Sequence, residues 1–245
     1  MESRGAILRH SLACLGVFAV TSLAAPTSSE ACGLTPPIGP NGLPATCHGD
    51  DAEVRLRAGL VVGGTSTRID FREQASLLQA ATGATLDVMP LERLTLSGSL
   101  GASLPGRVRY QSLDYELRPG PMAGVGVAYR FLGGRLPFIH GSLTLSWSRS
   151  VTRAPDGEDK GSFTSRDYRL GLAIGKTLGR FTAPFVVARY FGAGTDWSFA
   201  GHGVDHYQFQ IGAGSAFALG AHWDALVELA FLGEKRAAVG AGYSF

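Results

Sequence analysis

Few side chains in this sequence are spaced for chemistry. His140-x-Ser142 sets an imidazole and a hydroxyl two residues apart, so in extended backbone they share one face, as a base and a nucleophile must. Asp205 and His206 are adjacent, which on a strand turns them to opposite faces and away from an acid–histidine contact. His202, Asp205, His206 and Asp196 are near enough in sequence to meet a metal, although histidines in an external loop are ordinarily just solvated. Cys32, Cys47 and His48 lack a paired ligand spacing and a clear fourth donor, so a Cys32–Cys47 disulfide is the simpler expectation. Asp156-x-Glu158-Asp159 reads as a solvated turn around Gly157. The triplets Gly124-x-Gly126 and Gly212-x-Gly214 are not phosphate loops; on one strand face they make room for side chains opposite. No catalytic residue, metal or cofactor is assigned, and the chain is not read as an enzyme.

The elements that would position these groups are strands. From Glu53 onward apolar residues recur at every second position, the period of a strand with two unlike faces. Arg93 to Leu104 shows it best: Leu94, Leu96, Leu100, Ala102 and Leu104 share one side, and Arg93, Thr95, Ser97, Ser99 and Ser103 the other. Ten such segments follow one another, the last being Ala237–Phe245. Tight connections such as Gly220–His222 alternate with long polar ones at Gly63–Gln74, Pro105–Pro119, Val151–Thr164 and Gly192–Asp205, which are expected to be loops.

The first residues have the parts of a secretory signal: Arg4 and Arg9, an apolar run from Ser11 to Ala25, and Ser22-x-Ala24 for cleavage. That run is too short to span a bilayer as a helix. Residues 1–24 are thus expected to be a cleaved signal peptide, 25–52 an irregular periplasmic lead-in, and 53–245 one strand domain. A net charge of +2 gives no reason to expect a nucleic-acid partner. Mean hydropathy is only +0.11, as expected where half of each strand faces a polar interior.

The terminal strand presents Ala237, Val239, Ala241, Tyr243 and Phe245 on one face and only small residues on the other. It resembles the C-terminal strand of bacterial outer-membrane β-barrels, which ends in Phe with Tyr two residues earlier. The resemblance implies that this strand closes the barrel and that Tyr243 and Phe245 carry the signal read by the barrel assembly machinery. The outward aromatics sort into two levels, an external one with Trp147, Tyr168, Tyr190, Tyr207 and Phe231, and a periplasmic one with Tyr129, Phe131, Phe217, Trp223, Tyr243 and Phe245. Two girdles around an aliphatic band suit the two headgroup interfaces of a bilayer.

Two enzyme families of this class carry comparable residues. A His-x-Ser pair also occurs in barrel-type lipid A deacylases, where Asn follows the serine and the pair faces lipid; here Leu143 follows and alternation turns the pair inward. Omptin proteases pair two acidic residues with Asp-x-His, and the adjacent Asp205-His206 departs from that spacing.

The expected fold is an all-β, closed, antiparallel up-and-down transmembrane barrel of about ten strands, with eight as the alternative, in the cell outer membrane. Its lumen charges would be Arg55, Arg57, Arg93, Arg130, Arg169, Arg189, Asp87, Asp224 and Glu228, beside the inward Glu53, His140 and Asp167. These most often pair and fill a narrow lumen. The expected function is non-enzymatic, structural or interacting through extracellular loops. A narrow porin-like channel for small polar or anionic solutes is the alternative, and a lipid-modifying enzyme the third reading. Expected partners are outer-membrane lipids, lipopolysaccharide and the assembly machinery; the sequence sets no oligomeric state.

Overall fold

The computed structural model describes residues 55–91, 93–132, 137–178, 181–220 and 222–245. The expected signal peptide, Cys32, Cys47, His48 and Glu53 lie outside the described residues. Thirteen strands follow in chain order: β1 (Arg55–Asp70), β2 (Gln74–Leu91), β3 (Leu94–Ser103), β4 (Gly106–Tyr110), β5 (Leu113–Leu117), β6 (Gly120–Leu132) and β7 (Phe138–Arg153). After them come β8 (Asp159–Gly175), β9 (Thr182–Trp197), β10 (Gly201–Asp205), β11 (Phe209–Ala218), β12 (Trp223–Leu232) and β13 (Lys235–Ser244).

Ten of these close into an antiparallel barrel in the order β1, β2, β3, β6, β7, β8, β9, β11, β12, β13. The seam is β13 against β1, running from Arg57 opposite Ser244 to Ser66 opposite Lys235, and the Phe245 amide adds a 3.0 Å bond to the Leu56 carbonyl. Closure leaves no open edge, as hydrocarbon requires, because an unpaired backbone amide there costs several kcal/mol.

The outer face of this barrel is a band of uncovered aliphatic side chains. Leu60 is 69% exposed and Leu100 72%, with Leu86, Val125, Leu145, Leu170, Val186 and Leu229 also outward. In water such a continuous belt would drive aggregation, and in a bilayer it is the matching surface. Aromatic rings bound the band at both ends. Tyr129 with Phe131, and Tyr243 between His222, Trp223 and Phe245, form the periplasmic set. The chain is therefore an outer-membrane β-barrel.

The long connections are not loops. β1, β2, β7, β8 and β9 run on past the band, while β3, β6 and β11–β13 stop below. The Pro105–Pro119 segment is the β4–β5 hairpin, which pairs with β2 on one side and β7 on the other and so bridges above the shorter β3 and β6. The Gly192–Asp205 segment supplies the end of β9 and then β10, which pairs back to β9 and across to β1 above β11–β13. The upper parts of β1, β2, β7, β8 and β9 with β4, β5 and β10 thereby close a second ring of eight strands stacked on the ten-stranded barrel. These segments were expected to be loops because their outward residues are polar. In water that is how the outer face of a sheet reads.

Candidate functional site

The lumen is divided into layers by what its inward residues are. At the periplasmic end Phe138, Phe185, Val187, Ala216, Ala218 and Leu226 form a buried apolar cluster inside the barrel. Beside it Arg57, on β1, donates from Nη1 to Asp87 Oδ2 of β2 at 2.8 Å, and grips Asp224 of β12 from Nε at 2.8 Å and Nη2 at 2.6 Å. The guanidinium reaches β12 across β13 only because Gly242 lies beneath it; a Cβ there would collide with it.

Higher in the lumen a second network runs without a break. Arg189 forks onto Glu228 at 2.6 and 2.7 Å and donates to Gln210 Oε1 at 3.0 Å. The Gln210 amide donates to Glu234 Oε1 at 3.2 Å, and Glu234 receives both Arg169 Nη1 at 2.7 Å and Nη2 at 3.0 Å. Arg169 Nε then reaches Asp167 at 2.5 Å, and the same guanidinium lies 5.0 Å from the centroid of the Phe191 ring. Such bidentate, charge-assisted pairs hold the walls of the barrel together across its interior.

Not all of the expected lumen charges take part. Arg57, Asp87, Arg169, Arg189, Asp224 and Glu228 are in the two networks, whereas Arg130 is half-buried near the periplasmic end. Arg93 stands exposed in the turn before β3 rather than in the lumen. Arg55 opens β1, and its side chain lies outside what is described. Glu234 and Arg236 are lumen residues that alternation did not flag, because Gly233–Arg236 reads as an external turn. The β12–β13 hairpin instead turns at Gly233, with φ of +75° and the Phe209 carbonyl pressed against it, and tips Glu234 inward to 2% exposure. Only glycine fits that turn.

His140 faces the lumen, buried, with its ring 5.6 Å from that of Phe138. No hydrogen bond joins it to Ser142, and both ring nitrogens are without a partner among the described residues. The four possible metal ligands are not gathered either. His202 pairs with Asp196 at 2.9 Å, His206 with Asp70 at 2.9 Å, and Asp205 turns inward. Asp70 is held below the usual carboxylate range by its bond from His206. Among the described residues no cluster of three or more such ligands exists. Asp156 accepts the Glu158 amide at 3.0 Å around Gly157, a solvated turn.

The eight-stranded ring is filled by an apolar core. Ile69, Ala75, Val108, Tyr110, Tyr115, Leu117, Phe163 and Trp197 point inward and are buried. The Trp197 ring stands edge-on to Tyr110 at 5.6 Å, Tyr115 at 5.0 Å and Phe163 at 5.9 Å, and its indole N–H donates to Thr152 at 2.8 Å. Between this core and the upper ion network lies a polar cavity of about 120 Å³, lined in part by Asp167, Asp205, Glu234 and Arg236. Asp205, on β10 above the aliphatic band, is pushed up to about 7 by burial first and then by the charges of Asp167 and Glu234.

No protein-family model and no curated protein matches the chain. Among solved structures it is similar to the transport unit of the autotransporter AIDA-I from Escherichia coli, with 13% identity, 80% of this chain and 91% of that one covered, and a TM-score of 0.49. It is also similar to the translocator domain of the autotransporter NalP from Neisseria meningitidis (14%, 80% and 90%, TM-score 0.47). A third is the outer membrane protease OmpT from Escherichia coli (10%, 82% and 99%, TM-score 0.44).

Proposed function

We propose that this protein is a non-conducting, non-enzymatic outer-membrane barrel that carries a rigid ring above the membrane and interacts through that ring's polar outer surface. One observation supports this most: the lumen is filled at three successive levels. An apolar cluster occupies the periplasmic end, paired charges fill the middle, and an aromatic core closes the external end. A solute crossing it would have to part an Arg–Glu fork and then a packed Trp–Tyr cluster. A channel instead needs sites a solute can leave as easily as it enters.

The ring supports the second half of the reading. A hairpin and a strand locked into a closed sheet, with a core of their own, present their outer residues in fixed positions. Preorganised surfaces lose less entropy on binding than free loops do. Arg109–Asp114 at 2.9 Å and Gln111–Glu73 at 3.1 Å are exposed pairs on that surface.

Refolded protein inserted repeatedly into planar bilayers should give no single-channel steps. Reproducible steps, of the same size in each insertion, would reject the closed barrel in favour of a channel.

A further inference from the structure

The outer face of the barrel is not uniform. Over β2, β3, β6, β7 and β8 it carries a groove of about 880 Å³, with Ala84, Gly98 and Ala123 as its floor and Leu100, Trp147 and Tyr168 at its margins. Register explains the shape. One row across the five strands is Ala84, Leu100, Ala123, Trp147 and Arg166, and the next row toward the periplasm is Leu86, Gly98, Val125, Leu145 and Tyr168. Ala84 and Ala123 flank Leu100 in the first row, and Gly98 separates Leu86 from Val125 in the second, so a trough forms among the large side chains.

Gly98 has no packing reason to be glycine. A Cβ built on it meets nothing within 4 Å, and its backbone is ordinary extended strand. What its missing side chain provides is open space on the lipid side.

Above the trough stand two arginines. Arg166 is opposite Trp147, and Arg149 is opposite Thr164, which makes the pair diagonal neighbours on β7 and β8. Diagonal positions lie about 7–8 Å apart. Both side chains are exposed and outward, at or just above the external aromatic girdle, and neither has an ion-pair partner among the described residues. In the two lumen networks Arg57, Arg169 and Arg189 are each matched with carboxylates. On this patch of outer wall the cations are left unmatched at the height of the outer-leaflet headgroups.

We propose that this groove is a binding site for a phosphorylated, multiply acylated glycolipid of the outer leaflet, the lipid A part of lipopolysaccharide. Its acyl chains lie in the trough over Gly98 and Ala123. Its phosphates are taken by Arg149 and Arg166, whose planar guanidinium groups match phosphate oxygens two at a time. Trp147 and Tyr168 flank the junction between sugar and chains, where amphipathic rings are favoured. Two side-by-side cations beside an apolar trough fit a lipid with two phosphates better than one with a single phosphodiester. The site stands independently of whether the barrel conducts.

The test uses the full-length protein refolded in detergent micelles, titrated with lipid A while its unfolding temperature is followed. Phosphatidylglycerol and dephosphorylated lipid A are the comparison ligands. Wild type should be stabilised by lipid A at concentrations where the other two do little. Arg149→Gln with Arg166→Gln should weaken half-saturation about tenfold or more, the equivalent of one lost charge-assisted contact. Gly98→Leu should fill the trough and weaken it similarly without changing the unfolding temperature in the absence of lipid. Ala123→Leu fills the same floor from the neighbouring strand if Gly98→Leu does not refold. Equal binding of lipid A by wild type and the arginine variant, or by wild type and the filled-groove variant, would overturn the site. So would stabilisation by phosphatidylglycerol or dephosphorylated lipid A as strong as that by lipid A itself.

Discussion

The barrel in the membrane and the ring above it share five strands, yet their polarity is inverted. Along β9 the inward residues pass from Arg189 through Phe191 and Thr195 to Trp197, while the outward ones pass from Val186 and Tyr190 to Asp196. Along β1 they pass inward from Arg57 to Ile69 and outward from Leu60 to Arg68. Nothing changes in backbone geometry where this happens. What changes is the solvent: against lipid the apolar side chains face out and the polar groups must satisfy one another inside, and in water the same sheet builds an ordinary apolar core. The crossing point is therefore a direct reading of where the bilayer ends.

Cutting into each interior in turn should separate the two regions most sharply. Trp197→Ala empties the ring core and should cost the ring about 3–5 kcal/mol. Glu228→Leu strands the Arg189 charge and should cost the barrel a similar 3–5 kcal/mol. The outcomes differ in extent. The tryptophan variant should expose β4–β5 and β10 to protease while the barrel still migrates as folded, heat-modifiable protein, whereas the glutamate variant should lower the unfolding temperature of the whole. Loss of barrel folding with Trp197→Ala would mean that the ring is not a separable layer.

The outer faces allow a smaller and cleaner contrast. Leu60→Arg places a charge in the aliphatic band and should cost about 2–4 kcal/mol in bilayer unfolding. Leu113→Arg, on the exposed tip of the ring, should be within about 0.5 kcal/mol of wild type. Equal penalties would mean that the band has been placed at the wrong height.

The most local effect belongs to Asp205 at the base of the ring. Its carboxyl is raised to about 7 from an ordinary value near 3.8. A group raised on folding contributes stability that is full below its unfolded value and is lost as pH climbs through its folded one. Corrected for the intrinsic base catalysis of amide exchange, the protection of β10 should therefore fall between about pH 4 and pH 7 and level off above. Asp205→Asn should abolish that dependence and slow exchange at pH 7.5, by no more than the few kcal/mol that such a shift represents, about 1.4 kcal/mol per unit. Unchanged pH dependence in the variant would assign it to another group.

Alternation made the ten membrane strands legible, including the register that puts Val186 and Tyr190 outward and Arg189 inward on the least regular of them. The ring was not legible, for a specific reason. Its β4–β5 turn is Gln111-Ser112, both at positive φ, where a two-residue hairpin ordinarily announces itself with Asn-Gly or Asp-Gly. Its apolar residues also lie on the face that alternation had marked as polar. Among the lumen groups, Arg57 and Arg189 could be read as inward, but not which carboxylates they hold. Arg57 meets Asp224 at a sequence separation of 167, and Glu234 is reached only because a hairpin folds in.

The sequence by itself determined the period of the strands and which face of each meets lipid, because these follow from residue type at alternate positions along one strand. Only the tertiary structure decided that the long connections close into a second ring, which cation pairs with which anion, and where small residues of five strands line up into a groove. Those depend on register between strands far apart in the chain, and register is set by the closed sheet as a whole rather than by any one strand.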